Sequence, residues 1–326
     1  MPSDAVFLTG ATGFVGGHVL ERLLDAGYDV RALVRRPDTR LGPDVRTVVG
    51  DVREAGRLVN AMRGARYLVH CAAEYSFAPA ARAALESTNV AGTAGLLEAA
   101  RLAGIERAVV TSSSATVGPA PEGRVATEED VAQDGGSGYH HSKLAQERVA
   151  VAARVPTVLL LPTAPIGPRD RKPTPTGQIV VDYARGRLFA KPPRGGINIV
   201  AVEDVALAHV AALRLGRPRE RYLLGGANLS LDALWTLLAR ATGRPVPAWR
   251  APLGLALAVA HVDQLRCRLD PAAKPFAPLE GVRMAAERRY VDSAKAEREL
   301  GFRAQPVEAA LQRAVDWFRS NDYVAA

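Results

Sequence analysis

The sequence predicts a doubly wound parallel α/β fold with a smaller, mostly helical C-terminal part, and three observations carry the prediction. Short β-branched runs alternate with alanine- and leucine-rich helical periods through the first half. A glycine-rich stretch, TGATGFVG, joins the first such run to the first helical period. After Leu161, PTAPIGPRDRKPTPTG crowds prolines, glycines and charges together, which forbids a regular ladder and marks a shaped loop leaving a strand's carboxyl end.

The first strand is AVFLTG from Ala5, apolar almost throughout, as a strand covered on both faces must be. Further strands are expected at DVRALV from Asp29, VRTVVG from Val45, YLVH from Tyr67, AVVTSS from Ala108 and TVLLL from Thr157. Between them, GGHVLERLLDAG from Gly16 and VAGTAGLLEAARLAG from Val90 have helical spacing. QIVVDYARGRL resumes that spacing after the proline-rich loop, INIVAVEDVALAHVAALRLG reads as a strand and a helix, and YLLGG as a short strand. The helices SLDALWTLLARATG and PVEAALQRAVDWFRSN bring Leu, Val, Trp and Phe onto one face, so their aromatics are assigned to the core. APLGLALAVAHV from Ala251 is expected as a buried alanine-rich helix, the other reading being a surface that meets a membrane or an apolar substrate. The division that follows is 1–165 with 196–228 for a dinucleotide-binding part, and 166–195 with 229–326 for a substrate-binding part.

Composition removes several classes of function. A chain of 326 residues that is 48% hydrophobic can build a large core and is not disordered. Cys71 and Cys267 lie far apart and fit no metal-ligand spacing, so neither a disulfide framework nor a metal is expected. The start passes into a strand without a basic and then apolar leader, which predicts a cytoplasmic protein. The longest apolar run is far below the ~20 residues of a membrane span, so no stable insertion is expected. The net charge of +8 comes with no aromatic interleaving and no nucleic-acid motif; solvated surface arginines and an anionic cofactor or substrate account for it.

In TGATGFVG, Gly10, Gly13 and Gly16 permit a tight turn and a close approach of backbone to a pyrophosphate. Thr12, Phe14 and Val15 lie at the amino terminus of the following helix, where an anion is favoured. At the end of the second strand, an acidic residue would bind a free ribose hydroxyl, but the sequence has Val34 followed by Arg35 and Arg36. Guanidinium groups suit a 2′-phosphate, so NADP(H) is expected over NAD(H) unless both arginines are ordinary solvent-facing turn residues. Asp51 and Val52 are assigned to the adenine side, and Ala72 and Ala73 to a backbone wall beside the nicotinamide. Pro162, Thr163 and Ala164 complete the expected cofactor set with Tyr139 and Lys143.

GYHHSK places Tyr139 and Lys143 one helical turn apart and on one face, with His140 and His141 off it. In a chain with eight tyrosines and five lysines the spacing alone proves little. Its position after the cofactor strands and the turn DGGSG gives it weight. A phenol titrates near ~10 and needs positive charge nearby to act as a base, which Lys143 and an oxidised nicotinamide would supply. A hydroxyl of TSSSAT would complete a proton-transfer site. The two histidines are expected at the surface or packed against neighbours, and a metal there would need further ligands.

The glycine turn, the hydroxyl cluster, Tyr139 and Lys143, with STNVAGT around Asn89, VEDVA from Val202 and the closing DSAKAERELGF, resemble the extended short-chain dehydrogenase/reductase family over essentially the whole chain. PIGPRDRKPTPTGQIVVDY, YLLGGANL and EGVRMA are similar to its hopanoid-associated sugar epimerase group, which is related to dihydroflavonol reductases. The resemblance implies a Rossmann domain, a smaller C-terminal substrate domain and a Ser-Tyr-Lys site. Tyr139 would be the acid/base, and Lys143 would bind the nicotinamide ribose and lower the tyrosine pKa. Ser113 is assigned as the hydroxyl, with Ser114 the alternative that sugar epimerases suggest. The resemblance also implies helices suited to a four-helix homodimer interface, near Val90 and Tyr139. The group usually carries basic side chains where this chain has His140 and His141. Net reduction of a ketone by NADPH is placed ahead of epimerisation of a sugar or sugar-bearing lipid, and a non-catalytic NADP-binding sensor is the reading of another class. Glu74, Tyr75, the loop from Pro162 to Gly177 and the C-terminal helices are expected to shape the pocket. Within that loop, Arg169, Asp170, Arg171 and Lys172 either bind an anionic or hydroxyl-rich group or hold the loop together.

Overall fold

The computed structural model describes residues 4–121, 124–133, 138–192, 194–270 and 279–324, with the side chains of Thr39, Pro79 and Met284 outside that description. All but the last residue of the expected DGGSG turn fall outside the described residues.

Seven parallel strands form the main sheet: β1 (Ala5–Thr9), β2 (Asp29–Val34), β3 (Arg46–Val49), β4 (Tyr67–His70), β5 (Arg107–Thr111), β6 (Thr157–Pro162) and β9 (Arg221–Leu224), in the order β3-β2-β1-β4-β5-β6-β9. Every residue of β1 is buried because alternate side chains enter two different cores. Val6 and Leu8 join Val30, Val69, Val109 and Leu160 under helices α1 (Phe14–Asp25) and α7 (Val202–Leu215). Ala5 and Phe7 join Leu33, Leu68, Val110 and Leu159 on the opposite face, under α4 (Thr93–Ala103) and α5 (Gly138–Ala152). Two short helices, α2 (Val59–Met62) and α3 (Arg82–Leu85), precede α4, and a π-helical turn over Glu86–Gly92 leads into it. The strand order reverses between β1 and β4, and the crevice at the carboxyl ends of that pair is where a doubly wound sheet binds its ligand.

A smaller four-stranded sheet lies beyond this layer: β8 (Gly196–Ala201) pairs with β7 (Ala164–Ile166), β10 (Ala227–Ser230) and β11 (Arg288–Arg289). Its core includes Val180, Val181 and Tyr183 of α6 (Pro175–Ala184), Leu234 and Trp235 of α8 (Leu231–Thr242), and Leu311 and Phe318 of α12 (Val307–Ser320). Trp235 and Phe318 are thus core residues, as their helical spacing predicts, and Trp317 packs half-buried against them. Strand β8 falls inside the range expected for the dinucleotide-binding part, yet it pairs only with strands of this smaller sheet, while α7 and β9 return to the main one.

The remaining helices are α9 (Leu253–Leu269), α10 (Leu279–Ala286) and α11 (Ala294–Leu300). Helix α9 corrects an expectation: it is not a buried alanine-rich helix, since only Ala260 and Asp263 are buried along its length. Among the described elements its main packing partner is α10, and most of its side chains are exposed.

Candidate active site

The turn after β1 holds the phosphate-binding elements. Gly10 has φ +79°, and a Cβ there would lie 2.6 Å from the Ala72 nitrogen, so only glycine lets this turn close against the end of β4. At Gly16 a Cβ would stand 2.1 Å from the Gly10 carbonyl oxygen. Gly13 occupies the N-cap of α1 without a side-chain cap, and the first turn carries no acidic residue. The first-turn amides of Phe14, Val15 and Gly16 therefore keep the unsatisfied, electropositive character that receives an anion. Thr12 and Gly13 are exposed at this edge, and the Ala72 amide donates to Thr9 Oγ1 at 3.2 Å, which fixes the wall of Ala72 and Ala73 beside the turn.

Arg35 and Arg36 follow β2 and are exposed. Neither makes a hydrogen bond or ion pair with a described residue, although Arg35 lies near enough to Asp51 to act on it electrostatically. Asp51 itself is committed: its carboxylate accepts from the Arg53 backbone N and guanidinium, which hold it down at about 2. Val52 packs against Gly92 at the end of the π-helical turn. Thr163 and Ala164 are also engaged within the chain. Thr163 Oγ1 donates to Asn198 Oδ1 at 2.8 Å, Ala164 opens β7 opposite Ile199, and Pro162 ends β6 buried.

Tyr139 and Lys143 are both buried on α5. Ser113 stands close enough to the Tyr139 phenol to act on it, and its hydroxyl accepts from the Ala115 amide at 3.1 Å, whereas Ser114 enters the short 3₁₀ turn that Ser113 caps. Burial pushes the phenol up to about 12, and Ser113 is what opposes it. Lys143, one turn along the same helix, donates to the Thr111 carbonyl at 3.0 Å and Gln146 Oε1 at 2.6 Å. Burial in turn lowers Lys143 to about 8. The rings of Tyr75 and Phe77 stand 4.5 and 6.1 Å from that of Tyr139 and wall its outer side.

Beneath the lysine runs a polar network that the motifs alone do not announce. Gln146 donates to Thr93 Oγ1, which hydrogen-bonds His70 Nε2 at 2.9 Å, and His70 Nδ1 reaches Thr9 Oγ1 at 2.7 Å. His70 is buried and held near 3, hence neutral. Asn89 clamps the Glu74 backbone with both ends of its amide and donates to Ser142 on α5, tying the wall that precedes Tyr75 to the helix that carries Tyr139. Gln146 lies three residues along α5 from Lys143; Thr93 of α4 and His70 of β4 join it only because those elements pack against α5.

His140 is buried rather than at the surface, its Nδ1 3.1 Å from Glu280 of α10, while His141 is exposed. In the proline-rich loop Arg169, at φ +68°, pairs with Glu21 and reaches His18 Nδ1 at 2.9 Å. Buried Asp170 accepts from Thr174 N and Oγ1, both at 2.8 Å. These two residues hold the loop, so of the four charged residues there only Arg171 and Lys172 are left exposed to a ligand. Both cysteines are free thiols, and no cluster of metal-ligating side chains occurs among the described residues.

Comparison with known proteins places this geometry. The NAD dependent epimerase/dehydratase family matches residues 6–225. A protein of Synechocystis sp. described as a putative dihydroflavonol 4-reductase is 39% identical over 99% of this chain and 96% of its own. The crystal structure of gox2253 superposes with a TM-score of 0.86 at 33% identity, covering 99% of this chain and 100% of its own. That of a nucleoside-diphosphate-sugar epimerase from Pseudomonas aeruginosa gives 0.80 at 25% identity, covering 98% and 99%. A glycine turn at the switch point of a seven-stranded sheet, a tyrosine and lysine on α5, and a match over two thirds of the sequence agree: the chain belongs to the NAD dependent epimerase/dehydratase family.

Proposed function

We propose that this chain is an NADP(H)-dependent reductase that converts a ketone to a secondary alcohol through Ser113, Tyr139 and Lys143. The observation that carries the reading is the turn after β2. Val34 occupies the position where an acidic residue would favour NAD, and Arg35 and Arg36 are exposed with no bonding partner among the described residues. Two uncommitted guanidiniums suit a 2′-phosphate, and NADPH is the cofactor that cells keep reduced.

The bare first turn of α1 and the Gly10 turn fit the pyrophosphate, and Arg35 and Arg36 the 2′-phosphate. When bound, NADPH supplies a hydride to the carbonyl carbon of the substrate. The chain supplies the proton: Tyr139 donates its phenolic hydrogen to the carbonyl oxygen as negative charge grows there, and Ser113 hydrogen-bonds the same oxygen. A phenol held near 12 is protonated at neutral pH, which is the state an acid requires. Two of the three Lys143 protons are engaged by Thr111 and Gln146, so one remains for the nicotinamide ribose. Tyr75 and Phe77 keep water from the outer side of the phenol. The 39% identical relative described as a putative dihydroflavonol 4-reductase supports this direction.

A second reading, epimerisation of a sugar centre, is favoured by the similarity to the nucleoside-diphosphate-sugar epimerase. The test is a turnover screen of ketones with the purified protein, following NADPH consumption and product mass. Ketone-dependent consumption with an alcohol product is expected. Repeated turnover without added NADPH, giving an isomer of equal mass, would select the epimerase.

A further inference from the structure

We infer that the outer face of α9 is a docking surface for an anionic lipid membrane, with the exposed rings of Phe189 and Trp249 on the segments that lead into the helix. The helix turns large apolar side chains toward solvent. Leu255, Val259, Val262, Leu265 and Leu269 follow one another at spacings of four, three, three and four, which aligns them in one stripe. That stripe faces solvent, with Val262 exposed by 68%, Leu265 by 56% and Leu269 by 78%. The opposite side holds the buried Ala260 and Asp263. Two large rings are exposed on the segments before the helix: Phe189, 82% exposed, and Trp249, 48% exposed. They stand on neighbouring segments, because the Lys191 amide donates to the Trp249 carbonyl and the Ala251 amide to that of Lys191.

The surroundings select the occupant. The described residues of 185–194, 244–270 and 279–286 hold nine arginines and lysines against three acidic residues, an excess of six in a chain whose total excess is eight. All three acids have interactions inside the chain, Asp263 with Arg266 and Glu280 with His140 among them. Lys191, Arg268 and Arg283 have no ion partner among the described residues. Leucine and aromatic side chains on one face with a cationic border are what an interfacial helix needs: the apolar stripe enters the headgroup boundary and the cations meet anionic lipid. A second copy of the chain would set one cationic border against another, which disfavours self-association. No helix among the described residues is long and apolar enough to cross a membrane, so the contact is peripheral. Since α9 packs on α10, and α10 reaches the neighbour of Tyr139 through Glu280 and His140, docking brings the substrate side of the site to the lipid. The inference goes beyond the reductase reading and does not depend on it.

The test is co-sedimentation of the full chain with phosphatidylcholine vesicles, with and without phosphatidylglycerol. Binding is expected to the anionic vesicles, weakened by high salt, and reduced about tenfold by Val262→Asp with Leu265→Asp. Phe189→Ala alone should weaken it less, and both variants should keep the wild-type melting temperature because the side chains are exposed. Failure to bind anionic vesicles, or binding that the double variant leaves unchanged, would overturn the proposal. So would a dimer in solution that the double variant converts to monomer, which would make the stripe a subunit interface.

Discussion

Helices α5 and α9 both break the rule that polar side chains face water and apolar ones the core, and they break it in opposite ways. Helix α5 buries Tyr139, His140, Ser142, Lys143, Gln146 and Glu147. Helix α9 exposes Leu255, Val259, Val262, Leu265 and Leu269. The difference lies in where compensation comes from. The buried groups of α5 are paired inside the chain: Glu147 accepts from Ser112 and Thr116 and pairs with Arg221, Lys143 donates to Thr111 and Gln146, and Ser142 donates to the Tyr139 carbonyl. Burial of polar atoms is tolerated only on such terms. The stripe on α9 has no counterpart in the described chain, and neither have Arg35 and Arg36. Groups satisfied internally serve as fixed apparatus; groups left unsatisfied at the surface wait for something outside.

The comparison is broken most severely by changing α5. Tyr139→Phe should lower turnover by roughly 10²–10⁴-fold while cofactor affinity, measured by fluorescence titration, stays within about twofold. Equal activity in that variant would remove α5 from the chemistry. Glu147→Ala removes the carboxylate that pairs with the mostly buried Arg221 and accepts from Ser112 and Thr116, and should cost about 3–5 kcal/mol of stability, read from denaturant unfolding. Ser113→Ala should reduce kcat by about a hundredfold and Ser114→Ala by less than about threefold, since Ser113 is the serine that acts on the phenol. At the outer groups, Arg35→Ala and Arg36→Ala should each weaken NADPH binding by about tenfold and leave NADH binding unchanged, a split that calorimetry resolves.

The smallest effect is on pH dependence. Burial holds Lys143 at about 8, below its ordinary 10.5, so above pH 8 the folded chain loses a proton that the unfolded chain still binds. Stability should therefore rise between about pH 8 and 10.5, and a Lys143→Met variant should lack that rise. Reduction should be flat below pH 8 and decline above it as the ammonium is lost.

The residues proposed for the chemistry were legible because local geometry alone relates them. Gly10, Gly13 and Gly16 work through backbone freedom and spacing at a strand-to-helix turn, and Tyr139 and Lys143 share a helix face because they are four apart. What stayed hidden depends on contacts between distant segments. His70 of β4 and Thr93 of α4 join the Lys143 network through the packing of those elements on α5, Tyr75 and Phe77 reach Tyr139 by a loop held by Asn89, and His140 finds Glu280 some 140 residues away. Asp51 could not be known to be occupied by Arg53, nor Arg169 by Glu21, because a charge in a sequence has no stated partner.

The sequence by itself determined the parallel sheet, the glycine turn, the family and the pairing of Tyr139 with Lys143, because strand and helix periodicity and short fixed spacings are local properties of a chain. Only the tertiary structure brings Ser113 to the Tyr139 phenol, buries that phenol so that it is pushed up to about 12, and turns the leucines of α9 outward. Each of those depends on burial, which is set by what packs against a segment and not by the segment's own composition.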